Sequence, residues 1–93
     1  LHILVSDKLK SVAYQGVQAA HATAQYLLDN PSQQWNNNRL VVLEANLDDW
    51  IFKLNLKEIQ FTSFYEPDID SISAIALASP LAKAIAIFDF LNH

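Results

Sequence analysis

Cysteine and methionine are both missing from the 93 residues, and glycine occurs once, at position 16. Without thiols no disulfide can staple the fold and no thiolate metal site can form. That composition suits a reducing compartment. Long apolar runs are missing too: nothing approaches the roughly eighteen residues that a membrane helix needs. The opening LHILVSDKLK lacks the basic, apolar and small-residue order of a signal peptide. Positive charge is scarce, with six Lys plus Arg against ten Asp plus Glu and a net charge of -4. This opposes a broad, sequence-independent nucleic-acid surface but leaves room for a local basic patch. The expectation is a soluble, cytoplasmic chain with no membrane partner.

What is present is apolar and periodic. Hydrophobic residues make up 52% of the chain, enough for one domain spanning residues 1–93 with a single core and little stability in reserve. LHILVS (1–6) reads as a buried strand ending at Asp7 and Lys8. Ser11 is a candidate N-cap for a helix running to about residue 30, where Pro31 disfavours helical geometry in the residue before it. The polar stretch PSQQWNNN (31–38) is the longest loop, with Trp35 as its one anchor. RLVVLEA (39–45) is a second strand. Asn46 then caps a short helix ending near residues 54–55, with Asp48 and Asp49 in the first turn where the helix dipole favours them. EIQFTSFY (58–65) alternates as a half-buried strand does, and SISAIALA (71–78) is apolar enough to be covered on both faces. Ser79 and Pro80 supply cap and first turn of a last helix, with Leu81, Ala82, Ile85, Phe88 and Leu91 as its apolar stripe. There is no repeat or low-complexity tract.

The order β-α-β-α-β-β-α predicts an α/β layer fold: two right-handed β-α-β crossovers and a final hairpin, so three strands run parallel and the last antiparallel. In open α/β sheets ligands sit beyond the carboxyl ends of the parallel strands. Those ends are Ser6-Asp7-Lys8, Ala45-Asn46 and Tyr65-Glu66-Pro67-Asp68, and Asp70 enters the last strand from the same edge. The first helix begins there as well. Its residues Ala13, Gly16, Val17, Ala20, Ala24, Leu27 and Leu28 follow the three-four spacing of a buried stripe, so Gly16 is expected to be a packing device for close approach to the sheet. Tyr14, Gln18, His21 and Gln25 form a second line, either a solvated face or one side of a site. The YEPD segment is a turn in either case, with or without a site attached.

SDKLKSVAYQGVQAAHA followed by FYEPDIDSISAIALASP resembles the type II peptidyl-tRNA hydrolase superfamily, especially a bacterial and phage subgroup with VQAAHA and EPD motifs. Here these are residues 17–22 and 66–68, leading into 73–77; Trp35 and Pro80 also match, and the likeness runs through the whole chain. The resemblance implies a three-layer α/β/α fold with a four-stranded mixed sheet in the order 2-1-4-3, and commonly a homodimer. It also implies hydrolysis of the ester between peptide and tRNA without metal or cofactor. Asp7 matches the aspartate after the first strand of that family, and Gln18 and His21 match the glutamine and histidine of its first helix. Tyr14 stands where the well-studied enzymes carry a lysine. The Asp-Ala-Gly segment is replaced by residues 65–68, and the basic loop is reduced to Lys8 and Lys10.

Ester hydrolysis needs a base for water and donors for the oxyanion. The candidate catalytic residues are His21 as the base, held through its second ring nitrogen by Glu66 or Asp68, with Gln18, Tyr14 or Lys10 as donors. Asp7, Lys8, Lys10 and Tyr14 are candidate binding residues, and the two lysines with the helix N-terminus could hold a phosphate. No Gly-rich phosphate loop, zinc spacing or serine elbow occurs. Two readings stand: an esterase acting on peptidyl-tRNA, or a non-catalytic module binding a nucleotide-like ligand or a protein. A phage origin, implied only by the resemblance, would suit the second as an inhibitor or sequestering protein in the host cytoplasm.

Overall fold

A computed structural model describes residues 1–32 and 39–77. Within them run β1 (His2–Ser6), α1 (Val12–Asp29), β2 (Val41–Ala45), α2 (Leu47–Leu56), β3 (Thr62–Glu66), a 3-10 turn (Pro67–Ile69) and β4 (Ser71–Leu77). Trp35 and the helix expected after Ser79-Pro80 lie outside the described residues.

Both helices start where local chemistry dictates. The Ser11 hydroxyl accepts the Tyr14 backbone N–H at 3.2 Å, and the Asn46 side chain accepts that of Asp49 at 3.3 Å. Each satisfies one of the N–H groups that a helix start leaves without an internal partner. At its far end α1 stops at Asn30, whose backbone and side-chain N–H groups both reach the Tyr26 carbonyl. The end of α2 is a Schellman closure. Glu58 donates its backbone N–H to the Asn55 carbonyl, Ile59 donates to Leu54, and Glu58 takes the left-handed conformation with φ 57°. Glycine usually occupies that position, but the only glycine of this chain is elsewhere. This closure also explains why β3 begins at Thr62 rather than at residue 58: residues 58–61 first reverse the chain, with Ile59 packed against the α2 side of the core.

The strands form one sheet in the order β2-β1-β4-β3. β1 pairs parallel with β2, while β4 runs antiparallel to both β1 and β3, as the element order predicts. Side chains of adjacent positions go to opposite faces. Ile3, Val5, Ala74 and Ala76 meet Ala19, Ala22 and Tyr26 of α1 on one face. Leu4, Ile75 and Leu77 meet Leu47 and Leu54 of α2 on the other.

The buried stripe expected on α1 is not the one formed. Gln18, Ala19, Ala22 and Tyr26 are buried, whereas Ala13, Gly16, Val17, Ala20, Ala24, Leu27 and Leu28 are all exposed. Apolar residues occur around most of this helix, so periodicity alone does not select its inner face; Tyr26 and the bonded Gln18 do. Gly16 has no packing role among the described residues, since a Cβ built on it meets nothing within 4 Å. It lies instead on an apolar trough of about 440 Å³ between α1 and β2, open among the described residues and bordered by Val12, Ala20, Leu40 and Val42.

Candidate functional site

The site is shaped by an irregularity in β4. Phe64 pairs with Ala74, but Tyr65 pairs with Ile72, so Ser73 is an extra residue opposite β3. Such a bulge re-aims side chains. Strict alternation would send Ser73 to the α2 face with Ile75 and Leu77. Instead Ile72 packs on the α2 cluster, and Ser73 turns to α1 and bonds Gln18.

From Ser73 a relay runs outward. Its hydroxyl donates to Gln18 Oε1 at 2.5 Å, and Gln18 Nε2 donates to Glu66 Oε2 at 2.9 Å. Glu66 Oε1 accepts the Asp68 backbone N–H at 3.1 Å, the cap of the 3-10 turn. Gln18 is 1% exposed and Ser73 0%. Buried polar groups at such depth are costly unless bonded, and these are bonded. The polarity is forced by chemistry: an ionised carboxylate only accepts, so the Gln18 NH₂ must face Glu66, its oxygen must face Ser73, and Ser73 must donate.

The elements that carry this relay also hold two aromatic groups of α1, Tyr14 and His21, and two of β3, Phe64 and Tyr65. Burial holds the Tyr14 hydroxyl above its ordinary pKa, and the negative charges of Glu66 and Asp68 add to the effect, so the phenol remains a proton donor at neutral pH. His21 stacks on Phe64 with ring centroids 4.6 Å apart and planes within 5°. One imidazole face is thereby covered and the ring orientation fixed. Tyr65, on the outer side of β3, donates its hydroxyl to Asp70, a second left-handed residue with φ 50°.

Of the residues expected from sequence, the structure joins Gln18, Glu66 and Asp68 by hydrogen bonds and places Tyr14 within the field of both carboxylates. The expected dyad is not formed. Among the described residues no hydrogen bond or ion pair links His21 to Glu66 or Asp68; the Glu66 oxygens are taken by Gln18 and the Asp68 N–H, and His21 is held by Phe64. Asp7 and Lys10 are exposed, and the Asp7 backbone N–H extends the β1–β2 ladder by bonding the Ala45 carbonyl. Lys8 turns towards the α2 side, where its ammonium lies 3.5 Å from Asp48. Ser73 and Phe64 were missed. Ser73 carried one legible signal, a hydroxyl inside an apolar strand, where a buried polar group must find a partner.

Among the described residues no group of three His, Asp or Glu side chains is placed to hold a metal, and no helix is long and apolar enough to cross a membrane. The fold and site define a small α/β protein with a four-stranded mixed sheet and a hydrogen-bonded carboxylate at the carboxyl edge of its parallel strands. Comparison with protein-family models, with curated proteins and with solved structures returns no match.

Proposed function

We propose that this protein is a peptidyl-tRNA hydrolase-like esterase whose working carboxylate is Glu66. The observation that carries the reading is the Ser73–Gln18–Glu66 relay, which orients a carboxylate beside a protonated phenol at the sheet edge where α/β proteins bind ligands. In this reaction a water molecule adds to the ester carbonyl carbon while Glu66 takes its proton. The Tyr14 hydroxyl donates to the oxyanion, in the place of the lysine of the enzymes that the sequence resembles. Collapse breaks the bond to the ribose oxygen, which leaves with a proton from His21. Exchange with bulk water then takes the proton from Glu66 and returns one to the exposed imidazole. The products are a free peptide acid and a free tRNA hydroxyl, with no metal or cofactor in any step.

The second reading is a non-catalytic module for a nucleotide-like ligand or a protein partner, and the local charge favours the protein partner. Glu66 and Asp68 face the site, and the ammonium of Lys8 is drawn to Asp48. A polyanion gains its affinity from cations, and carboxylates oppose it.

Release of tRNA from a peptidyl-tRNA by the purified protein separates the two. Under the esterase reading Glu66→Gln lowers the rate by about 10²-fold or more, and His21→Ala lowers it as well. Unchanged release in Glu66→Gln removes the carboxylate from the mechanism. No release by the wild type, together with a ligand found by native mass spectrometry, establishes the second reading.

A further inference from the structure

We infer that Ser73 is a positioning residue, which acts through Gln18 to hold the Glu66 carboxylate in one orientation; the inference rests on Glu66 being the working group of the site proposed above. The bulge exchanges two residues between the faces: Ile72 joins the α2 cluster, and Ser73, with 0% exposure, puts a hydroxyl into the α1 layer, where apolar packing has no use for it. What it supplies is one donor to Gln18 Oε1.

That donor sets the direction of the whole relay. With Ser73 donating, the Gln18 amide has a single satisfied orientation in which Nε2 points at Glu66. A hydrogen bond to the charged form of a carboxylate favours that form. If the Ser73 donor is removed, Gln18 Oε1 is left buried without a partner, and an unmet buried acceptor is costly. The amide is then no longer pinned to one orientation, and its Nε2 bond to the charged Glu66 weakens. Of the titratable groups on the surrounding elements, Tyr14 on α1 lies in the field of Glu66 and Asp68, Asp68 donates its backbone N–H to Glu66, Asp70 closes the same turn, and His21 on α1 stacks on Phe64; β4 places Ser71 opposite Glu66. None of these touches Ser73, so a change that begins at Ser73 reaches Glu66 through Gln18.

Carbon-13 NMR titration of the Glu66 side-chain carboxyl tests this on the intact chain. In Ser73→Ala the Glu66 pKa rises by about one unit relative to wild type. Gln18→Met, which keeps the length of the side chain and removes both bonds, raises it similarly, and Ser73→Ala added to Gln18→Met changes it no further. A Ser73→Ala protein with a native amide spectrum and an unmoved Glu66 titration overturns the inference. A full further shift in the double variant does so too, because Ser73 would then act without Gln18. These readouts need no activity: the expected titrations with no ester hydrolysis would sink the esterase reading and leave the relay standing.

Discussion

The two faces of the sheet are built on opposite rules. On the α2 face Leu4, Ile75, Leu77, Leu47 and Leu54 form a wholly apolar cluster, and the chain closes α2 with a Schellman motif that brings Ile59 onto it. On the α1 face a glutamine and a serine are buried, while Val12 is 83% exposed on the same helix. The α2 layer supplies stability by burial alone, whereas the α1 layer gives up apolar contact to carry a polar line from the interior to the site.

The largest effect that tests this contrast is expected on the α2 face. Leu54 is 2% exposed, and Leu54→Ala should cost about 2–5 kcal/mol in urea unfolding with the Glu66 titration unchanged. A cost below about 1 kcal/mol would show that this cluster is not the main source of stability. Breaking the α1 line is expected to cost less but to reach the site: Gln18→Ala leaves Ser73 and Glu66 without their partner and should lose about 1–3 kcal/mol. If the same variant leaves the Glu66 titration untouched, the two faces do not differ in the way described.

A smaller pair of effects concerns the glycine. Glu58 occupies a left-handed position on the α2 side, where glycine carries no Cβ penalty, so Glu58→Gly should stabilise by roughly 0.5–1 kcal/mol. Gly16 lies within α1 with open space around it, and Gly16→Ala should stabilise by up to about 1 kcal/mol. Thermal melts of the two single variants and their combination check both, and the gains should add. A loss in Gly16→Ala would mean that the trough beside it is occupied in solution.

The smallest effect is alkaline. The hydrogen bond to Asp70, and then burial, hold Tyr65 above its ordinary value of 10.0. Burial, and then Glu66 and Asp68, do the same for Tyr14. Both folded values lie above the unfolded one, so their contribution is complete below the unfolded pKa and is lost as pH rises through the folded values. Melting temperature should therefore fall from about pH 9 upward, and Tyr65→Phe should flatten that fall. An identical pH profile in Tyr65→Phe would remove Tyr65 from the alkaline transition.

Much of the framework was legible because it is written in local chemistry. Ser11 and Asn46 cap their helices, Asn30 ends α1 before Pro31, and the alternation of strand and helix led to a mixed sheet with an antiparallel last strand. The start of β3 was not legible, because a Schellman closure on a glutamate has no marker that replaces the expected glycine. Of the candidate site, topology put Gln18, Glu66, Asp68 and Tyr14 at one sheet edge, and the structure brings these four together. The partner of His21 was not legible: an exposed imidazole can turn to any neighbour, and Phe64 offered a parallel ring.

By itself, then, the order of residues determined what each segment becomes, since caps, turns and periodicity act within a few positions. Which side of α1 faces inward, and what Ser73 does, were decided only in the tertiary structure. A helix apolar on most sides has no inner face until a sheet is laid against it, and here a single extra residue in β4 brings a donor under Gln18. That contact joins residues 55 positions apart, a distance over which no local rule applies.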